Sequence, residues 1–245
     1  MLSKTKTFFS GLSIILMVCL TGFVPDTQNA DRSINGAWKT QHSTLEQVLL
    51  FSDGYFMHTI FDRVNKQFIQ SRGGTYIFSG KDLVTKIEFN TIDKDQVGQL
   101  ITYSFSVNKN KLNSDISGKK ASWELLDKGE GAMSGTWRMS GRKTDGKIVM
   151  SPPRARKTLK VLTGTKFQWV AINAETKEFF GTGGGSYSFI NEKYTENIEF
   201  FSRDNSRVGA SLSFDGKLVD GNWHHSGLSS TGNSIYEVWT KENQK

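Results

Sequence analysis

Two adjacent histidines, His224 and His225, are the residues of this sequence best suited to acid–base work or metal ligation. An imidazole changes charge near neutrality and binds metals through a ring nitrogen. Both lie in a short run, Asn222-Trp-His-His-Ser-Gly227, that reads as a strand. Adjacent strand residues point to opposite faces. Trp223 stands where an earlier, similar stretch has Leu112, so Trp223 and His225 share an interior face and His224 points outward. Two histidines on opposite faces do not share one metal. His225 is therefore a pocket residue, an acid–base group or a structural one. Arg203 and Arg207 flank Asp204. Two guanidinium groups at the mouth of a cavity can clamp a carboxylate or phosphate bidentately, whereas Asp204 reads as a turn builder. Glu88 and Glu199 suit a solvated strand position or a cross-strand ion pair better than general-base work. Trp169, Tyr187, Phe200, Trp223 and Trp239 fall on inward faces, where aromatics either fill a core or line a ligand cavity.

Much chemistry is excluded. The sequence has no Gly-x-Ser-x-Gly elbow, His-Glu-x-x-His motif or phosphate-binding Walker motif. His42, His58, His224 and His225 show no metal-ligand spacing, and a single Cys rules out disulfide scaffolds and cysteine-based metal sites. No metal or cofactor is expected, and with no recognition motif beside the charge, no nucleic acid.

The elements that position these residues are written twice. Residues 56–103 align with 167–214 without a gap, matching Phe56 with Phe167, Gly73-Gly74 with Gly184-Gly185, Ile87-Glu88-Phe89 with Ile198-Glu199-Phe200, and Asp93 with Asp204. With gaps, Trp123–Lys128 resembles Tyr236–Lys241, and Asn35-Gly-Ala-Trp38 resembles Ser134-Gly-Thr-Trp137. The chain thus divides into a leader (1–30), a first repeat (31–130) and a second (131–245), with no long linker and two touching domains expected. The second repeat carries about a dozen extra residues in its first loop.

Apolar residues alternate at period two between turn signals such as Asp53-Gly54 and Asp220-Gly221. Seven or eight short, sequence-adjacent strands per repeat predict an all-β protein of two tandem antiparallel up-and-down barrels, since closure removes exposed edges. The glycine runs at 73–74 and 183–185 precede strands, so they read as bends or bulges and not as phosphate loops. The paired Gly36-x-Trp38 and Gly135-x-Trp137 resemble the first-strand signature of lipocalin-like (calycin) barrels. The second repeat, with residues 179–185, 197–209 and 223–227, is similar to a family of secreted bacterial lipocalin-like proteins of unknown function. That resemblance implies a barrel holding a small apolar ligand or a partner and supplies no reaction.

Residues 1–30 have the order of a secretory signal: Lys4 and Lys6, an uncharged stretch from Phe8 to Phe23, then polar residues up to Ala30. The stretch is short for a membrane span. Cys19 follows Leu-Met-Val, an imperfect lipid-attachment motif, so lipid anchoring is the less favoured outcome. The net charge of +7 is concentrated between Arg138 and Lys166, where nine basic residues meet one acid, Asp145. This run is either a solvated loop and strand or a contact for an anionic envelope surface. The expected function is a secreted or periplasmic binding protein for a small apolar or amphipathic, even anionic, ligand. Its site is placed at Trp169, Tyr187, Phe200, Arg203, Arg207, Trp223 and His225. The alternatives are a barrel isomerase or lyase working through His225 with Arg203 and Arg207, or a structural envelope protein with filled barrels.

Overall fold

The computed structural model describes residues 34–229 and 231–242; the leader expected at residues 1–30 lies outside them. Eight antiparallel strands close the first barrel: β1 Gly36–His42, β2 Leu45–Ser52, β3 Tyr55–Asp62, β4 Gln67–Ser79, β5 Asp82–Asn90, β6 Leu100–Asn108, β7 Lys111–Ser114 and β8 Ala121–Asp127. The second sheet comprises β9 Gly135–Thr144, β10 Lys147–Met150, β11 Arg156–Leu162, β12 Lys166–Asn173, β13 Glu178–Ile190, β14 Lys193–Phe201, β15 Ser211–Val219, β16 Asn222–Leu228 and β17 Ser234–Lys241. Pairing of β9 with β17 closes it, and β10 hangs as a hairpin from β9. Neighbours in each barrel are neighbours in sequence, as the expected up-and-down topology requires. The second barrel is thus eight strands plus one appended strand.

The repeated Gly-x-Trp plugs one end of each barrel. Trp38 donates its indole N–H to the Ile34 carbonyl (2.9 Å) and Trp137 to that of Met133 (2.8 Å). Gly36 and Gly135 have φ of +124° and +143°, and a Cβ at Gly36 would overlap the Asp127 carbonyl, so glycine is required there.

Register confirms the duplication and corrects one part of it. Leu112 pairs with Trp123 and Trp223 with Trp239, so Trp123 corresponds to Trp239, not to Tyr236. The local likeness of Trp123–Lys128 to Tyr236–Lys241 is three residues out of phase, because the connection before the last strand differs in length between the repeats.

The glycine runs do mark bulges. The register shifts between Gly73 and Gly74 and between Gly184 and Gly185, leaving Glu88 and Glu199 as the extra residues. A bulge reverses the side-chain parity beyond it. Tyr194, Ile198 and Phe201 therefore face the second barrel's core, while Phe200 faces outward. Its counterpart Phe89 does the same.

Those outward aromatics join the barrels. Val48, Leu50, Tyr55, Met57, Phe61 and Phe89 pack against Leu159, Val161, Val170, Ile172 and Phe200 in one buried cluster. Phe61 and Phe200 lie 5.0 Å apart. Polar groups inside the interface are satisfied: Thr59 donates to Gln168 Oε1 (2.7 Å), and Gln168 Nε2 donates to Ser71 (2.9 Å) and Thr182 (3.0 Å). At its edge Lys157 bridges Glu88 and Glu242, both at 3.0 Å. Glu199 accepts from Lys166 (2.7 Å), so both repeated glutamates are ion-paired structural acids.

Candidate functional site

The two barrel interiors diverge. The first is filled by Trp38, Leu49, Phe51, Phe56, Leu83, Leu112 and Trp123. Its buried histidine, His58, has its pKa driven down to about 3 by burial and then by the nearby Arg72 charge, which leaves the ring neutral. In the second barrel Lys160, Glu196, His225 and Glu237 all point inward. Register places Leu49, Thr85, Ser114 and Ala121 at the matching positions of the first barrel. The polar group is therefore not needed to build the fold.

Lys160 is 5% exposed, and its ammonium donates to Glu196 Oε1 at 2.7 Å. The same ammonium lies 5.1 Å from each of the Tyr194, Trp223 and Trp239 ring centroids, a favourable place for a desolvated cation. His225, 2% exposed, packs against Phe214 (4.3 Å between centroids) and Trp223 (5.0 Å). Its Nδ1 lies 3.5 Å from Glu237 Oε2. That is close enough for electrostatic pairing but too long for a good hydrogen bond, and neither ring nitrogen has a hydrogen-bond partner. Burial pushes the imidazole below its ordinary pKa against the pull of Glu237, so the ring is neutral at pH 7. Burial also pushes the Glu237 carboxyl up, but His225, Lys160 and Arg142 outweigh it and hold the group below the usual carboxylate range. Trp239 Nε1 donates to Glu237 at 3.2 Å.

These groups form the floor of a cavity of about 230 Å³, walled by Trp169, Ile198, Phe201, Leu212, Phe214 and Ile235. The cavity opens at the barrel end opposite the Trp137 plug. Thr158, Phe201, Leu212 and Ile235 lie at that end by register, as does the β14–β15 connection. Among the described residues, no group of three or more His, Cys, Asp or Glu could hold a metal ion.

The residues singled out from sequence scatter across this arrangement. His225 and Trp169 line the cavity. Trp223 is fully buried behind the floor, against Lys160 and His225, and does not line it. Tyr187 sits near the plugged end, donating to the Thr163 carbonyl (2.6 Å), with burial raising its pKa to about 12. Phe200 is in the inter-barrel cluster because of the bulge at Glu199. Asp204 builds a turn, accepting from the Ser206 N–H (3.0 Å) and pairing with Arg207 (3.2 Å). Arg203 is exposed beside Gly181, and neither arginine lines the cavity, so no two-arginine clamp is formed there. His224 points away, 2.9 Å from Tyr236 Oη.

Lys160, Glu196 and Glu237 escaped sequence reasoning. Lys160 sits between Leu159 and Val161, which look like core and are buried, but on the interface side. The available signal was the mismatch between repeats: Lys160 against Leu49 and Glu196 against Thr85. Compared with protein-family models and with curated proteins, the sequence finds no match.

Proposed function

We propose that the second barrel is the binding unit of a secreted or envelope lipocalin-like protein, and that its ligand is a small amphipathic molecule. The observation that carries this reading is the open cavity with largely aromatic walls and a buried floor of two carboxylates, an ammonium and an imidazole, where the first barrel has Leu49, Thr85, Ser114 and Ala121. Its volume of about 230 Å³ lies below the roughly 300–1,000 Å³ of drug-sized ligand pockets, so it suits only a compact ligand. Lys160 and Glu196 neutralise each other and His225 is neutral, so the Glu237 carboxylate is the one unmatched charge of the floor itself, with Arg142 acting on it from the neighbouring strand. A head group that donates hydrogen bonds, neutral or cationic, matches this floor better than an anion does. The first barrel, being filled, serves as scaffold. Secretion rests on the order of residues 1–30, with attachment through Cys19 the less favoured variant.

The test is native mass spectrometry of the processed protein from its own envelope, followed by denaturing extraction. An extra mass released on denaturation, lost in Trp169→Ala and Glu237→Gln but kept in the first-barrel variant His58→Gln, is the expected result. Equal loss in both barrels, or no released mass and no ligand-dependent stabilisation across an amphiphile panel, overturns it. A second reading is favoured by one observation, the buried neutral His225 beside the Glu237 carboxylate. A general base and its orienting acid need such a pair at hydrogen-bond distance, so this reading requires the 3.5 Å gap to tighten when a ligand binds. Turnover of a captured ligand, abolished by His225→Gln with binding retained, would make the barrel an enzyme.

A further inference from the structure

The β9–β10 hairpin is the largest departure of the second barrel from the first. In the first, β1 and β2 are joined by the two residues Ser43 and Thr44. In the second, β9 runs on through Gly141–Thr144, turns at Asp145-Gly146 and returns as β10 before the chain enters β11. Barrel closure does not need this arm, because β9 is already paired with β11 and β17.

The arm is both apolar and cationic. Every residue of β10 is exposed, with Ile148, Val149 and Met150 showing 46%, 54% and 52% of their surface to solvent. β10 is also an edge strand, and an exposed apolar edge is a hazard unless something covers it. Around it stand Lys143, Lys147, Arg154 and Arg156, none of them in a salt bridge among the described residues, and Arg142, whose charge also acts on Glu237. Asp145 is the only acid in the arm. Arg142, Val149, Arg154 and Arg156 border a groove of about 360 Å³ beneath the hairpin, and no carboxylate lines it.

We infer that this arm docks the protein on a bilayer rich in anionic lipid, with Ile148 and Met150, which share one face of the hairpin, entering the interface and the surrounding cations meeting headgroups. Charge decides the occupant. A second copy pairing through the same edge would set two strongly positive arms together, whereas an anionic bilayer satisfies both the cations and the apolar side chains. The arm leaves the barrel at the end where the ligand cavity opens, since Arg142 pairs with Glu237 of the cavity floor. Docking therefore turns the cavity mouth towards the membrane. The inference stands on the arm alone and does not depend on what the cavity holds.

Because residues 8–23 are uncharged and mostly apolar and offer lipid a second contact in the full chain, the readout must be local to the arm. In a Cys19→Ser background, Ile148→Cys carries an environment-sensitive fluorophore, and Ser43→Cys, in the short turn of the first barrel, serves as the control site. Vesicles containing phosphatidylglycerol should shift the Ile148 label to the blue and leave the Ser43 label unchanged, and pure phosphatidylcholine should shift neither. Lys143→Gln with Lys147→Gln should weaken partitioning by more than about tenfold, and high salt should do the same. Equal shifts at both sites, or none with anionic vesicles, overturn the inference. So does a shift produced by inorganic phosphate, which marks a free-anion groove, or one that grows with protein concentration without lipid, which marks strand pairing between copies. These outcomes leave the mass-spectrometric test of the cavity untouched.

Discussion

Lys160 and Glu196 are each 6% exposed in their side chains and form an ion pair in a barrel interior, where the loss of hydration offsets much of the mutual attraction. The first barrel meets the same positions with Leu49 and Thr85 and closes equally well. Lys160→Leu alone should cost about 3–5 kcal/mol, because it leaves Glu196 buried without a counter-charge. Lys160→Leu together with Glu196→Thr, which restores the first-barrel pair, should recover most of that loss. Urea denaturation of the three proteins checks the ranking, and a double variant no more stable than the single one would refute it. His225 was legible in the sequence because its parity could be read against Leu112 of the other repeat. Lys160 was not, since apolar neighbours on both sides hid which face was the interior.

Strand periodicity is reliable only up to the first bulge, and each repeat has one at its glycine run. Gly73 and Gly184 lack a side chain where the rings of Phe89 and Phe200 lie across them; a Cβ at Gly184 would approach Phe200 to 2.5 Å. The glycines announced a bulge, but nothing local said that Glu88 and Glu199 would be the extra residues and would send the next phenylalanine outward. Phe200→Ala should therefore destabilise the protein by about 3–5 kcal/mol without changing ligand capture. The adjacent Phe201→Ala, on the cavity wall, should reduce capture with a smaller loss of stability. Thermal melts paired with ligand retention separate the two effects, and the reverse assignment would mean that the parity reversal is wrong.

At the scale of the molecule, the apolar contact between the barrels and the Thr59–Gln168–Ser71 network make the two repeats one cooperative body. Calorimetry should show a single transition, and Val161→Asp, which buries a charge in that contact, should split it in two; two transitions in the unaltered protein would refute this. The two-barrel architecture was legible because alternation, turns and repetition agree. The tight joint was only half legible. Runs such as Val48-Leu-Leu-Phe51 and Leu159–Leu162 are apolar at consecutive positions, the pattern of a strand covered on both faces, but a sequence does not say what covers the second face. The same joint has a consequence in time. A chain made from its N-terminus can seal β1 against β8 once residue 127 has emerged, yet Val48, Leu50, Met57 and Phe61 must wait for β11 and β12 before anything shields them. The first half of this protein is thus born with a greasy flank that only its own second half can cover, so an interrupted chain is left as an adhesive fragment and not as a smaller working version of the whole.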